Sequence, residues 1–333
     1  MGAKKILLVG GAGYVGSVTC EMLVERGYDV YVLDNLYQGF AEAVNPAATF
    51  VRGSMEDSEL LARLFKAYDF YGVMDFAGET LIEYSMTDPY RYFKANIEDG
   101  LKLLNAMVEH GVTRLIFSST SAVYGEALEI PMREEHPKDP ANSYGDSKLI
   151  FETILKWYYR IHGLRSISFR YFNASGASTN CGEAHHPETH LIPVLLEVAR
   201  GMRERFYVFG GDYDTKDGTC IRDYTHVIDI ANAHILGIEN IDAIEHDAFN
   251  LGNGSGYTVR EVLDAALRVT GRGIPFEVTE RRAGDAAVMI ASSEKARRVL
   301  GWEPEYPAID DIIRTAWEWH QSHPNGYEAH KRT

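Results

Sequence analysis

Cysteine is scarce. Only Cys20, Cys181 and Cys220 occur in 333 residues, and their separations match neither a disulfide framework nor a common zinc motif. A disulfide-stapled scaffold is excluded, and a reducing interior is expected. No run of 18 apolar residues occurs, so no ordinary membrane-spanning helix is expected. The first residues lead straight into an apolar strand pattern, and no leader peptide is expected. Basic residues are in deficit, 33 against 48 acidic, giving a formal net charge of −15. Such a chain is a poor partner for nucleic-acid backbones or anionic membranes. Local arginines can still hold a small anion. No internal repeat or low-complexity linker is visible. What remains is a cytoplasmic globular chain, 45% hydrophobic, long enough for one large or two smaller domains.

An apolar run, Ile6-Leu-Leu-Val9, stops at Gly10-Gly11-Ala12-Gly13-Tyr14-Val15-Gly16, and a helical pattern follows. This reads as strand, tight turn and helix start. Glycines let the backbone approach a phosphate, and the first-turn N–H groups of the helix face the anion. The spacing Gly10-x-x-Gly13-x-x-Gly16 differs from the ordinary GxGxxG fingerprint. A glycine-rich turn of any α/β protein is the plainer reading. Context favours a dinucleotide, because the next strand, Tyr28 to Leu33, ends in Asp34-Asn35, where an acid suits ribose hydroxyls and repels a 2′-phosphate. NAD is expected over NADP.

The rhythm continues as strand candidates Phe50–Gly53, Gly72–Phe76, Arg114–Ser119 and Ser166–Phe172, with helices over Glu59–Phe65, Tyr92–Glu109 and Tyr144–His162. It predicts a doubly wound, Rossmann-like parallel sheet with ligands at the carboxyl ends of its strands. Small residues in Phe76-Ala77-Gly78 would let backbone lie beside the cofactor. Residues 174–190 read as a polar loop and Leu191–Met202 as a helix, and Phe209-Gly210-Gly211 and Asp217-Gly218 read as turns. Asp223–Ile241 reads as strand then helix, and Val259–Val269 and Ile309–Trp319 as helices. The expected division is 1–173 for the NAD-binding domain, which also receives segments from about 223–250. Residues 174–333 would form a smaller C-terminal α/β substrate domain.

Tyr144-Gly-Asp-Ser-Lys148 is the sharpest chemical signal. Positions i and i+4 share a helix face, placing a phenol beside an ammonium. A nearby positive charge favours the phenolate. An isolated YxxxK is more often a surface pair, but here a dinucleotide turn and Ser118-Ser119-Thr120 accompany it. Thr120, just past a strand end, could bond the substrate oxygen and relay its proton to Tyr144.

With these stretches, Ser118-Ser-Thr-Ser-Ala-Val-Tyr-Gly125, Arg170-Tyr-Phe-Asn173, Asp217-Gly-Thr-Cys-Ile-Arg-Asp-Tyr224, Asn250-Leu-Gly-Asn-Gly254, Arg281-Arg-Ala-Gly-Asp285 and Leu300-Gly-Trp302, the chain resembles the UDP-glucose (UDP-galactose) 4-epimerases of the extended short-chain dehydrogenase/reductase family. The resemblance covers almost the whole chain. It implies NAD regenerated in each cycle, and C4 inversion of a UDP-hexose through a 4-keto sugar. Tyr144, Thr120 and Lys148 would be the catalytic set. The cofactor set implied is Gly10, Gly13, Tyr14, Val15, Gly16, Asp34, Asn35, Ser54, Met55, Phe76, Ala77, Gly78, Asn96, Ser118, Tyr144, Lys148 and Tyr171. Asn173, His190, Leu191, Arg222, Arg282 and Asp285, with Thr120 and Tyr144, would meet the UDP-sugar, since guanidinium groups suit phosphate. Phe209 would pack near the uridine or serve as ordinary core. A homodimer through the helices near 92–109 and 144–162 is implied as well.

The residues after Thr120 are Ser121 and Ala122. Related 4,6-dehydratases and UDP-glucuronate decarboxylases carry carboxyls there, and their loss argues against both. Met289 stands where bulk restricts the sugar pocket, unless it is simply core. It is intermediate in size and flexible. UDP-glucose and UDP-galactose lead, with UDP-N-acetylhexosamines and UDP-pentoses as alternatives. Ser54 replaces a familiar aspartate and Thr80 a lysine, which would weaken NAD retention. Val18 and Asp75 stand where relatives often carry histidine. Cys181, Glu183, His185, His186, Glu188 and His190 fit no common metal spacing, so no metal is expected and this loop reads as solvated. A nucleotide-sugar-binding protein without activity, or a reductase releasing NADH, are the other readings.

Overall fold

The computed structural model describes residues 2–282 and 286–327. Its centre is one sheet built from β1 (Lys5–Val9), β2 (Asp29–Asp34), β3 (Thr49–Arg52), β4 (Gly72–Asp75), β5 (Arg114–Thr120), β6 (Arg165–Tyr171) and the strand His246–Leu251. The spatial order is His246–Leu251, β6, β5, β4, β1, β2, β3. Every pairing is parallel. Parallel strands are covered on both faces, so they read as continuous apolar runs. Ile6, Leu7, Leu8 and Val9 are accordingly all buried.

One face of the sheet packs through Ile6, Leu8, Val32, Ile116 and Phe169 against the helices Tyr14–Glu25 and Val227–Ile244. The other packs through Leu7, Leu33, Val73, Leu115 and Phe117 against Ser58–Ala67, Asp99–Glu109 and Ser143–His162, the last through Phe151. The chain leaves β1 toward β2 and β3, then returns to place β4 on the other side of β1. That reversal opens a crevice beyond the carboxyl ends of β1 and β4.

A separate core joins the helices Leu191–Ala199, Val259–Thr270 and Ile309–Ser322 through Leu195, Leu196, Val262, Leu263, Ile312 and Ile313. Short strands attach here. Ile221–Arg222 lies between Tyr257–Thr258 and Val288–Met289. Phe206–Phe209, to which the sequence pattern assigns no strand, is a strand paired in parallel with Phe276–Thr279. Alternation there, with Phe206 and Val208 buried and Tyr207 open, marks a half-buried strand. The helix expected over Tyr92–Glu109 is present, begins at Pro89 and carries a π-helical turn at Lys94–Glu98. Among the described residues no helix is long and apolar enough to cross a membrane.

Candidate active site

The glycine turn and the segment after β4 meet backbone to backbone in the crevice. Gly10 has φ +73°, and a Cβ there would sit 2.7 Å from the Ala77 nitrogen. A Cβ on Gly16 would sit 2.5 Å from the Gly10 carbonyl oxygen. Only glycine permits either approach. The helix Tyr14–Glu25 starts at Gly13 with no side-chain cap, so its first N–H groups are open to an anion. Asp34 closes the turn: its carboxylate accepts from the Ala12 N–H at 3.0 Å and the Leu36 N–H at 2.8 Å. Burial raises its pKa, with these two donors opposing. A cradle that any Cβ would fill, an uncapped helix start and an acid beside them fit a dinucleotide.

The neighbours are tied locally. The Tyr14 hydroxyl donates to the Gly176 carbonyl at 2.5 Å, and Val15 packs on the core. Asn35 accepts from the Tyr37 N–H, and Ser54 from the Glu56 N–H. Met55 is buried, and Thr80 is exposed at the rim. Val18 is fully buried against Tyr14, Cys181, Val227 and Ala231, so packing explains its apolar character.

Thr120 ends β5, and Tyr144 and Lys148 lie in the first turns of Ser143–His162. Asn142 caps this helix, accepting from the Gly145 N–H at 2.9 Å. Thr120 is the side chain next to the Tyr144 phenol that draws its pKa down. Lys148 is buried and donates to the Ser118 carbonyl at 3.0 Å, with its ammonium 4.7 Å from the Phe117 ring centroid. Burial lowers its pKa to about 8, and the charge of Asp75 pulls the other way. Asp75, in turn, is pushed up by burial to about 6, with Lys148 and the Ala77 N–H opposing. The charges of Asp75 and Lys148 thus act on each other, which gives the unusual residue a physical account. The expected lowering of Tyr144 is not a property of the chain alone. Burial raises that phenol, and only Thr120 opposes it, because Lys148 is turned to Ser118.

Gly78, Asn96 and Ser147 form the connection between β4 and the Tyr144 helix. The Asn96 side chain donates to Ser147 Oγ at 2.9 Å and accepts from the Glu79 N–H at 2.8 Å. Asn96 lies in the π-helical turn, a deviation that re-aims a side chain. Ser118 and Tyr171 share a short hydrogen bond beside Lys148. Burial raises the Tyr171 phenol strongly, with Ser118 opposing.

Across the crevice, Asn173 donates to the Asp223 carbonyl at 2.7 Å. The Arg222 guanidinium donates to the Ala286 carbonyl at 2.8 Å. Met289 pairs with Arg222 in the small sheet and packs against the Val123, Tyr124 and Met132 cluster. Arg282 lies 4.3 Å from the centroid of Phe209, a cation–π contact. His190 precedes the helix Leu191–Ala199, and Leu191 packs on the C-terminal core. Asp285 lies outside the described residues. Thr120, Tyr144, Lys148, Ser118 and Tyr171 therefore form one cluster, and Phe209 with Arg282 another.

Several supports stand inside the sequence motifs, where the residue pattern alone assigns them no role. Asp223 is fully buried, and its carboxylate accepts from the N–H groups of Asn253, Gly254 and Ala291 at 2.8, 3.0 and 3.1 Å. Behind β5, Glu152 binds Ser119 Oγ at 2.6 Å and the buried Arg170 guanidinium. Arg170 also reaches the Tyr124 hydroxyl, which donates to Asn250. The loop 182–190 is not simply solvated: Glu183 and Glu188 are buried. His320 is also buried, which lowers its pKa to about 4, with Arg200 adding to the effect.

The sequence profile of the family described as GDP-mannose 4,6 dehydratase matches residues 7–315. A UDP-glucose 4-epimerase from Halalkalibacterium halodurans is 46% identical over 330 residues, covering 98% of each chain. A crystal structure of a UDP-glucose 4-epimerase superposes with TM-score 0.95 at 46% identity, over 97% of this chain and 99% of that one. The Bifidobacterium longum UDP-glucose 4-epimerase, solved with NAD+ and UDP, gives TM-score 0.92 at 35% identity, over 97% and 100% of the two chains.

Proposed function

We propose, from the premise that the chain belongs to the UDP-glucose 4-epimerase group of the extended short-chain dehydrogenase/reductase family, that it interconverts UDP-glucose and UDP-galactose by inversion at sugar C4. The observation that carries this is the Thr120–Tyr144–Lys148 cluster at the carboxyl edge of the sheet, beside an uncapped glycine turn. The profile is named for a dehydratase, but Ser121 and Ala122 lack the carboxyls elimination would use.

NAD, when bound, supplies a reversible two-electron acceptor for sugar C4. The turn from Gly10 to Gly16 and Asp34 hold its phosphates and adenosine ribose, and Lys148 its nicotinamide ribose. Thr120 passes the proton of the C4 hydroxyl to Tyr144, and Lys148, one helical turn on, holds the Ser118 carbonyl beside them. Asn173, Arg222 and Arg282 anchor the diphosphate while the 4-keto sugar turns about its link and offers its other face. The same phenol then returns the proton. Positioning of this kind supplies much of the barrier reduction.

Met289 in the sugar region supports plain hexoses first, with N-acetylhexosamine and pentose nucleotides as second substrates. Ile150, Trp157 and Ile161 leave apolar surface open on one face of the Tyr144 helix, which supports a homodimer through that helix. Three buried free cysteines support a cytoplasmic setting.

The test incubates purified protein with UDP-galactose, UDP-GalNAc or UDP-arabinose, without added NAD. Formation of UDP-glucose with no net NADH is expected. Intact NAD content without C4 exchange would favour a binding protein. Stoichiometric NADH release would favour a reductase.

A further inference from the structure

The loop between Gly182 and Leu191 carries four clustered side chains, of which only His190 is expected at the UDP-sugar. One ligand atom from each of Glu183, His185, Glu188 and His190 lies within 4.8 Å of all the others. Glu183 Oε1 is 3.0 Å from His185 Nδ1 and 2.8 Å from His190 Nδ1. Glu188 Oε1 lies 2.9 Å from the same His190 nitrogen. The two carboxylates keep only 6% and 5% of their side-chain surface. Two carboxylate oxygens and two imidazole nitrogens thus converge within one turn of the loop. Both imidazoles turn the same ring nitrogen, Nδ1, into the group.

We propose that these four residues form a structural site for a divalent transition metal of the zinc class. Two imidazole nitrogens and two carboxylate oxygens are a zinc donor set, and tetrahedral bonds of about 2.0–2.2 Å place neighbouring ligand atoms about 3.3–3.6 Å apart. The nearest present separations, 2.8–3.0 Å, are shorter, and the rest fall within 4.8 Å. The mixed donor set disfavours magnesium and calcium, which take oxygen ligands. A cation entering the group displaces the protons that the imidazoles otherwise share with the carboxylates. The spacing Glu-x-His-x-x-Glu-x-His fits no helical or knuckle motif, because the fold of the turn, and not the chain interval, brings the ligands together.

The site has a structural consequence. The His185 ring meets the Tyr14 ring edge-on, with centroids 6.4 Å apart, and lines a cleft with Gly13 and Gly182. His190 immediately precedes the helix Leu191–Ala199. Metal at this point ties the glycine turn to the C-terminal core.

Full-length protein, dialysed against chelator, is titrated with zinc chloride by calorimetry, with magnesium chloride as control. Bound zinc is then counted by mass spectrometry and its ligands read by zinc K-edge absorption. One equivalent per chain in mixed nitrogen and oxygen coordination is expected. His185→Gln/Glu188→Gln, checked by circular dichroism, should weaken binding by about 100-fold or more. His185→Gln alone is the milder variant if the pair does not fold, and should weaken binding and remove most of the zinc-induced rise in Tm. No zinc uptake by the wild type overturns the proposal. So does uptake unchanged in the folded double variant, or unchanged in His185→Gln where the pair does not fold, since the zinc is then held elsewhere.

Discussion

Gly78 packs directly on Asn96: a Cβ added to the glycine would lie 2.3 Å from the amide oxygen. Gly78 also has φ +134°, a conformation side chains rarely adopt. Gly78→Ala must displace Asn96 from Ser147 and loosen the helix that carries Tyr144. The expected cost is about 1–3 kcal/mol of stability, with NAD content falling in step. Thermal unfolding and cofactor content of purified protein check both.

Tyr144→Phe removes the proton carrier and keeps the ring that packs edge-on to Tyr92. Turnover of UDP-galactose should fall about 10²–10⁴-fold, while UDP affinity stays within about twofold. Steady-state kinetics and UDP calorimetry separate the two. Unchanged turnover would sink the proton-transfer role.

Lys148 imposes a pH dependence on stability. Its folded pKa is lowered by burial to about 8, below the ordinary 10.5. Burying the charge therefore costs about 3 kcal/mol. That cost is complete below pH 8 and is relieved between pH 8 and about 10.4, where the folded form has lost its proton and the unfolded form still holds it. Relative to Lys148→Met, the wild type should gain stability steadily across that window. Urea unfolding of both at pH 7 and pH 9.5 tests the sign.

Arg282→Ala removes the cation stacked on Phe209. KM for UDP-galactose should rise about 10–100-fold, as expected for a charged hydrogen bond of about 1.5–3 kcal/mol, with kcat nearly unchanged. A fall in kcat at constant KM would move Arg282 out of nucleotide binding.

Trp157 and Ile161 leave 54% and 68% of their surface open on one helix face. Charging both, Trp157→Asp with Ile161→Asp, should convert a dimer to a monomer in sedimentation velocity. An unchanged mass would place the interface elsewhere.

What was legible in the sequence was local. The glycine turn is declared by spacing and the Tyr144–Lys148 pair by one helical turn, and the parallel sheet follows from apolar runs such as Ile6–Val9. What stayed hidden depends on distant pairing. Asp75 looks anomalous until Lys148 is folded over it from 73 residues away. Asp223 looks like one more acid until backbone from Asn253, Gly254 and Ala291 converges on it. The π-helical turn at Lys94–Glu98 lies inside a helix whose apolar periodicity gives no sign of it. Residues 182–190 look polar enough to be solvated, and only the fold turns Glu183 and Glu188 inward.

Asp34 has two tasks that cannot be separated. The carboxylate that would recognise a ribose also pins the Ala12 and Leu36 amides. Exchanging it for a basic side chain, which offers no acceptor, would release the turn that must receive the coenzyme. A substitute without the charge would still have to accept from both amides.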